Sequence, residues 1–291
     1  MTWKRVATAA VLIPLVVAIV LFASTTVVAI VTAAITILAL REYFALGDAI
    51  GHRAYRLWTS FCAILVTIDW VHSGTGKILP LPSTNPSEIS FQLDPSESLR
   101  VILSLLIYIF GITCLTLWTR RPLVESLPAA GISSTALLLV AFPLSFSVAL
   151  HALPHNGPKF LLFALVITWV ADTTAYFVGR AIGKHPLAPH ISPKKTWEGS
   201  IGSMFGSLLV AYAFSYWIHI PLMHLLIMAV LGNIAGQMGD LLESAYKRSA
   251  GVKDSGGLLP GHGGILDRID ALILCIPVIW YYLVLVNPSI R

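Results

Sequence analysis

The chain has 291 residues, of which 56% are hydrophobic and only 11% charged, with a mean hydropathy of +0.81. Those values lie far from soluble domains of this length and exclude a single apolar core surrounded by water. The net charge of +5 calls for no nucleic-acid partner, because the basic residues are distributed as a membrane-topology signal.

A helix that crosses a bilayer needs about 20 apolar residues, and nine stretches approach that length: 6–23, 26–45, 56–72, 99–118, 129–152, 159–179, 199–219, 222–239 and 265–286. No β-barrel alternation is present, so the sequence predicts an all-α, polytopic helical membrane protein with about nine transmembrane helices. The first stretch follows Lys4 and Arg5 as a secretory signal would. Another apolar span follows it directly without a small-residue cleavage site, so it is expected to remain as an anchor. With the N-terminus in the cytoplasm, Lys77, Arg100, Lys159 and Arg291 fall outside, and the other fifteen of the 19 basic residues fall inside. That asymmetry predicts N-inside, C-outside, with the inside charges close to anionic headgroups. Cys62, Cys114 and Cys275 each sit within a span without metal-type spacing and read as small apolar packing residues.

Taken in order, residues 1–155 read as an N-terminal transmembrane scaffold and 156–291 as a C-terminal transmembrane catalytic region. The first two helices end in Arg41-Glu42-Tyr43-Phe44, a charged cytoplasmic edge. The Ser- and Pro-rich connection 73–98 lies outside, and Arg120-Arg121-Pro122 joins spans four and five. Asp172, in the sixth span and followed by Thr173 and Thr174, is costly to bury. It is either functional, or it snorkels or pairs with a nearby base. The connection 183–195 leads into Ser192-Pro-Lys-Lys-Thr-Trp-Glu-Gly199. Pro193 fits the first turn of a helix with Ser192 as its N-cap. Such a terminus beside Lys194 and Lys195 is an anion site, or the lysines are ordinary positive-inside charge. Gly202-x-x-x-Gly206 and Gly232-x-x-x-Gly236 read as close helix packing in lipid.

The densest chemistry lies in 239–270, where five acids (Asp240, Glu243, Asp254, Asp267, Asp270) accompany Lys247, Arg248, Lys253 and Arg268. The helix from Pro221 to about Ala250 outruns the membrane and places Asp240, Glu243 or Ser244, and Lys247 on one face. Asp267 and Asp270, three apart, share a face of the next helix. Carboxylates at a membrane surface suit a hard divalent cation such as Mg²⁺, which bridges to substrate phosphates. Glycines in the intervening loop allow backbone to approach phosphate oxygens.

The run Ser244-x-x-Lys247-Arg248-x4-Lys253-Asp254-x-Gly256-x5-His262-Gly263-Gly264-x2-Asp267-Arg268-x-Asp270 resembles the signature of the phosphatidate cytidylyltransferases (CDP-diacylglycerol synthases). Ser192–Gly199 and Asp172-Thr-x-Ala-Tyr176 resemble segments of the same family, and Tyr246 is a small departure from its pattern. The resemblance is strongest over about 160–280. It implies that CTP and phosphatidate give CDP-diacylglycerol and pyrophosphate with Mg²⁺, in phospholipid biosynthesis at a bacterial cytoplasmic (inner) membrane. It also implies Asp240, Asp267 and Asp270 as metal ligands, a second cation such as K⁺, and a homodimer. Lys247, Arg248, Lys253 and Arg268 are expected at phosphates, with Asp254 and Glu243 positioning them. A surface ion pair between Glu243 and Arg248 is the plain alternative. Ser192, Lys194, Lys195, Ser244, Gly263 and Gly264 complete the expected phosphate-binding set. A phosphate monoester with a second pKa of about 6 needs no strong base, so His262 reads as a structural or phosphate-contacting residue ahead of a general base. The residues alone leave open a CTP-dependent lipid or polyprenol kinase, and an ion-coupled transporter with Asp172 and Asp240 as intramembrane sites.

Overall fold

A computed structural model of the chain describes residues 2–71, 95–119, 122–154, 156–258 and 263–286. His262, Arg120, Arg121 and most of the 73–98 connection lie outside the described residues. Ten α-helices and one small hairpin make up the described chain. They run α1 (Thr2–Phe22), α2 (Thr25–Ala49), α3 (Arg56–Asp69), α4 (Pro95–Trp118), α5 (Leu123–Ala136), α6 (Phe142–His151), α7 (Gly157–Ile182), β1 (Pro186–Ala188), β2 (Ser192–Thr196), α8 (Trp197–Ser215), α9 (Leu222–Ser249) and α10 (Leu266–Val286).

Five stretches among the described residues are long and apolar enough to cross a membrane: Thr25–Ala49, Leu99–Trp118, Leu123–His151, Gly157–Ile182 and Leu222–Ser249. The protein is an all-α membrane protein. Of the nine expected spans, 6–23, 56–72, 199–219 and 265–286 are not among these five, and two of the nine take a different form. α3 stops at Asp69 after 14 residues, about 21 Å of helix. The expected 129–152 span is broken: a π turn at Leu137–Ala141 joins α5 to α6, and the Phe142 N–H reaches back to the Leu137 carbonyl. Pro143 supplies the reason, since it has no N–H to return to the preceding turn and the bonding ladder slips by one residue.

Lipid tails are as apolar as leucine, so these helices associate through tight packing and polar bonds rather than through hydrophobic exclusion. Gly202 and Gly206 bring α8 against α7. A Cβ at Gly202 would stand 2.6 Å from Val178 Cγ2, and one at Gly206 would stand 2.6 Å from Thr174 Oγ1. Gly232 and Gly236 do the same for α9 against α10, facing Cys275 Sγ at 3.1 Å and Ala271 Cβ at 3.6 Å. Cys62 and Cys275 are fully buried free thiols. A polar seam joins α8 to α9: Asn233 Nδ2 donates to Ser207 Oγ at 2.8 Å, Gln237 Nε2 to Ser203 Oγ at 3.0 Å, and Ser200 Oγ to Gln237 Oε1 at 2.5 Å. Each such bond contributes about 0.6 kcal/mol in a membrane.

One continuous core links the two halves of the chain. Phe44 of α2, Phe146 of α6, Phe163 of α7, Met228 of α9 and Ile279 of α10 are all buried in it. Trp70, Phe146 and Trp280 interlock with ring centroids 5.1 to 5.3 Å apart. This packing fixes the ends of α2, α7, α9 and α10 relative to one another, and those ends carry the charged residues. The glycine contacts lead to a test. Gly206→Val should overpack the α7–α8 seam at a cost of about 1–3 kcal/mol and lower the thermal midpoint in detergent. Gly131→Ala, with nothing within 4 Å of its Cβ position, should leave that midpoint unchanged.

Candidate active site

α9 meets no helix breaker from Leu222 to Ser249, so it carries Asp240, Glu243, Ser244 and Lys247 beyond its apolar segment on one face. It stops at Gly251, where φ is +71°, a conformation costly for any residue with a Cβ. The Gly251 N–H bonds to the Arg248 carbonyl at 3.1 Å, and the Val252 N–H bonds to the Lys247 carbonyl at 2.9 Å. These two bonds close the helix in a Schellman turn and launch the loop toward α10.

Lys247 lies between two acids from different helices. Its Nζ contacts Glu243 one turn earlier and Asp267 Oδ1 at 2.7 Å, and the three side chains are only 5 to 10% exposed. Glu243 therefore pairs with Lys247, and the surface pair with Arg248 does not form. Arg248 instead donates to the carbonyls of Ile191 at 3.3 Å and Val252 at 3.1 Å. Asp267, in the first turn of α10 where the helix dipole favours a carboxylate, also accepts the Ser255 N–H at 3.1 Å and the Gly264 N–H at 2.8 Å. Gly263 covers it with φ +81°, and a Cβ there would stand 2.7 Å from Asp267 Oδ2. Asp270 follows one turn later. Gly239 has no room for a Cβ against the Asp270 carbonyl, so α9 and α10 meet backbone to backbone beside Asp240 and Asp270. Asp270 lies within electrostatic reach of Asp240, Glu243 and Asp172.

The approach to α8 differs from its expected form. Ser192 does not cap a helix. Ser192–Thr196 is strand β2, paired antiparallel with β1 through Pro186 opposite Thr196 and Ala188 opposite Ser192. The cap is Thr196, in extended backbone at φ −124° and ψ 153°, whose Oγ1 accepts the Gly199 N–H at 3.1 Å. A β-branched residue with a hydroxyl suits both the strand end and the cap. Lys194 and Lys195 consequently project from a strand. Lys195 Nζ stands 2.5 Å from Asp240 Oδ2. Glu198, in the first turn of α8, is held by its own backbone N–H and by the His185 ring at 2.6 Å, and its carboxyl is lowered to about 2. It stays anionic at neutral pH beside the basic hairpin.

These elements enclose a cavity of about 640 Å³ between α7, the hairpin, α8 and α9. Asp172, Arg180, Lys194, Lys195 and Asp240 line its charged part, Gln237 continues it along the α8–α9 seam, and Ile167, Ala171 and Leu187 form an apolar wall. The volume is that of a site for a small organic ligand. Asp172 thus faces the same space as Asp240. Among the described residues, Ser192, Ser244, Lys247, Arg248, Lys253, Asp254, Gly263, Gly264, Asp267, Arg268 and Asp270 stand outside that wall, so Asp240 is the one expected metal ligand that lines it. Ser244 is buried in α9, whereas Lys253, Asp254 and Arg268 are exposed on the loop and the start of α10.

Sequence reasoning missed Glu42 as a member of this site. From the end of α2 its carboxylate accepts from Ser255 Oγ at 3.1 Å, the Ile265 N–H at 3.0 Å and the Leu266 N–H at 2.8 Å. The available signal was an acid at the end of an otherwise apolar run. The polar seam of Ser200, Ser203, Asn233 and Gln237 was also missed, although its i, i+3/i+4 spacing was visible. The buried pairing of Lys247 sets an expectation. Lys247→Met leaves two buried acids uncompensated and should cost about 3–5 kcal/mol in thermal or denaturant unfolding. Adding Glu243→Gln should recover part of that loss.

Residues 3–286 match the cytidylyltransferase family. The chain is 40% identical over 172 residues to a Haemophilus influenzae protein named phosphatidate cytidylyltransferase, covering 57% of this chain and 59% of that one. Proteins of the same name from Bacillus subtilis and Staphylococcus aureus are 39% identical over 157 residues and 47% identical over 126. Those matches cover 53% and 43% of this chain, and 58% and 48% of the relatives. The chain spans about half to three fifths of the length of the curated relatives it matches. A match running nearly end to end, on a fold that brings the signature acids and lysines together, places this membrane protein in the cytidylyltransferase family.

Proposed function

We propose that this chain transfers the cytidylyl group of CTP to phosphatidate, forming CDP-diacylglycerol and pyrophosphate. The cavity carries this reading, because Lys194, Lys195 and Arg180 line it together with Asp172 and Asp240 beside an apolar wall, and Lys195 pairs with Asp240. One ligand is a soluble polyanion and the other a lipid phosphate, and a charged pocket set in a membrane helix bundle suits both. In the reaction a phosphate oxygen of phosphatidate attacks the α-phosphorus of CTP. The bond from that phosphorus to the β-phosphate oxygen breaks, and pyrophosphate leaves with the electron pair. The nucleophile is already largely ionised at neutral pH, so the residues have two anions to bring together rather than a proton to remove. Lys194, Lys195 and Arg180 screen that repulsion and stabilise the leaving group.

The acids fit Mg²⁺. Among the described residues no three His, Cys, Asp or Glu side chains form a ready-made cage. Mg²⁺ needs none, since it takes one or two carboxylates together with substrate phosphates and water. Asp240, Asp270 and Asp267 are the carboxylates that would hold it. Asp267 accepts from three donors, and a carboxylate offers about four acceptor positions, so one remains. The bound ion would supply charge neutralisation at the phosphates. Lys195, now paired with Asp240, is placed to shift onto phosphate. With the N-terminus inside, as the basic residues indicate, this site faces the cytoplasm of a bacterial inner membrane, where CTP is available.

Purified protein incubated with labelled CTP, phosphatidate and Mg²⁺ should release pyrophosphate and form labelled CDP-diacylglycerol. CDP with a doubly phosphorylated lipid would replace this reading with a kinase, and no nucleotide turnover would overturn it. Asp270→Asn should lower turnover about 100-fold or more with an unchanged thermal midpoint. Asp267→Asn should lower both, because Asp267 also anchors the loop.

A further inference from the structure

We propose that Glu42, on α2, is a positioning residue for the catalytic loop, a role that rests on the transferase reading above. The loop after α9 is closed at its neck by two carboxylates, each with its own set of donors. Asp267 takes the backbone N–H groups of Ser255 and Gly264 together with Lys247. Glu42 takes the Ser255 hydroxyl at 3.1 Å and the next two N–H groups, Ile265 at 3.0 Å and Leu266 at 2.8 Å. Those two amides are at the start of α10, where a helix leaves its first donors without partners within the helix. Glu42 caps α10 from another helix, more than 200 residues away in the chain. It thereby sets the height and rotation at which α10 presents Asp267 and Asp270.

Two glycines of the loop are shaped by this contact. A Cβ at Gly256 would stand 2.8 Å from Glu42 Cδ, and one at Gly264 would stand 2.7 Å from the same atom. Both clash with a carboxylate that is itself fixed by three donors. These glycines admit Glu42, whatever else they admit. α2 cannot drift to relieve the crowding, because Phe44 lies in the continuous core and Tyr43 packs edge-on against Tyr246 of α9 with centroids 5.7 Å apart. Tyr246, the departure from the family pattern, stabilises the same α2–α9 contact.

The test uses the full-length protein in detergent or nanodiscs and two readouts. In hydrogen exchange, Glu42→Gln should speed exchange about tenfold or more in peptides covering Ser255 and Ile265–Leu266, while peptides from α4 and α7 stay as in the wild type. In the CDP-diacylglycerol assay, the same variant should lose about 10- to 100-fold in kcat, with KM for CTP and for phosphatidate within about twofold. Those KM values are the mark of misplaced catalytic groups rather than of lost binding. Glu42→Asp, which keeps both acceptor oxygens, should recover part of kcat. Gly256→Ala should be as impaired as Glu42→Gln, and less impaired when combined with Glu42→Ala, which vacates the space its Cβ needs. Unchanged exchange in Glu42→Gln overturns the clamp. So does faster exchange with unchanged kcat, or a loss of activity that only tracks the fraction unfolded. Wild-type protein that turns over no CTP refutes the transferase reading instead, and in that case exchange alone decides whether Glu42 holds the neck.

Discussion

Lys247 lies between Glu243 of α9 and Asp267 of α10, and the three side chains are nearly removed from solvent. Two carboxylates from different helices approach there only because the ammonium between them cancels their repulsion, and removing either partner leaves an uncompensated buried charge. The placement of the site follows from this contact. It fixes the start of α10 against the last turns of α9, so Asp270 falls beside Asp240. The loop between the helices must then leave and return through one narrow neck. A buried ion triad of this kind contributes little net stability and much geometric definition, since only one arrangement satisfies all three groups.

Close backbone approach is the second condition, and glycine provides it at different places for different reasons. Gly202 and Gly206 let α8 lie on α7, and Gly239 lets α9 touch the Asp270 carbonyl. Gly251 and Gly263 adopt positive φ, one to end α9 and one to pass over Asp267. Gly256 and Gly264 leave room for the Glu42 carboxylate. A loop rich in glycine at a nucleotide site is commonly read as a phosphate cradle. In this protein several of those glycines have a packing partner inside the fold. The positive charge at the cavity comes instead from Arg180 and the hairpin lysines Lys194 and Lys195, which a strand holds beside it.

The two halves of the chain form one mechanical unit. The apolar first half supplies Glu42 to the neck and, through Phe44 and Phe146, part of the aromatic core against which α7 and α10 are set. The second half supplies the acids and bases of the cavity. The charged groups of the cavity lie on α7, α9 and the hairpin leading into α8, where their depth is set by the packing of those helices. Rigid helices packed through small residues provide that depth better than loops do.

The sequence by itself determined the class of the protein and much of the chemistry. Long apolar runs can only be membrane helices, since every backbone polar group in lipid must be bonded within its own segment. The three-residue spacing of Asp267 and Asp270 dictates a shared helix face, and the small-residue repeats dictate close packing; these are local properties that need no partner. Tertiary structure alone decided which charges meet across helices. The four-residue spacing already favoured Lys247 over Arg248 as the partner of Glu243, but only packing brought Asp267 to the other side of that lysine. Ser192-Pro193 had the makings of a helix start, yet pairing with Pro186–Ala188 made it a strand and moved the cap to Thr196. Glu42 showed nothing in its own neighbourhood to link it to residues more than 200 positions away, because the three donors it accepts from exist only once α2, the loop neck and α10 are packed together.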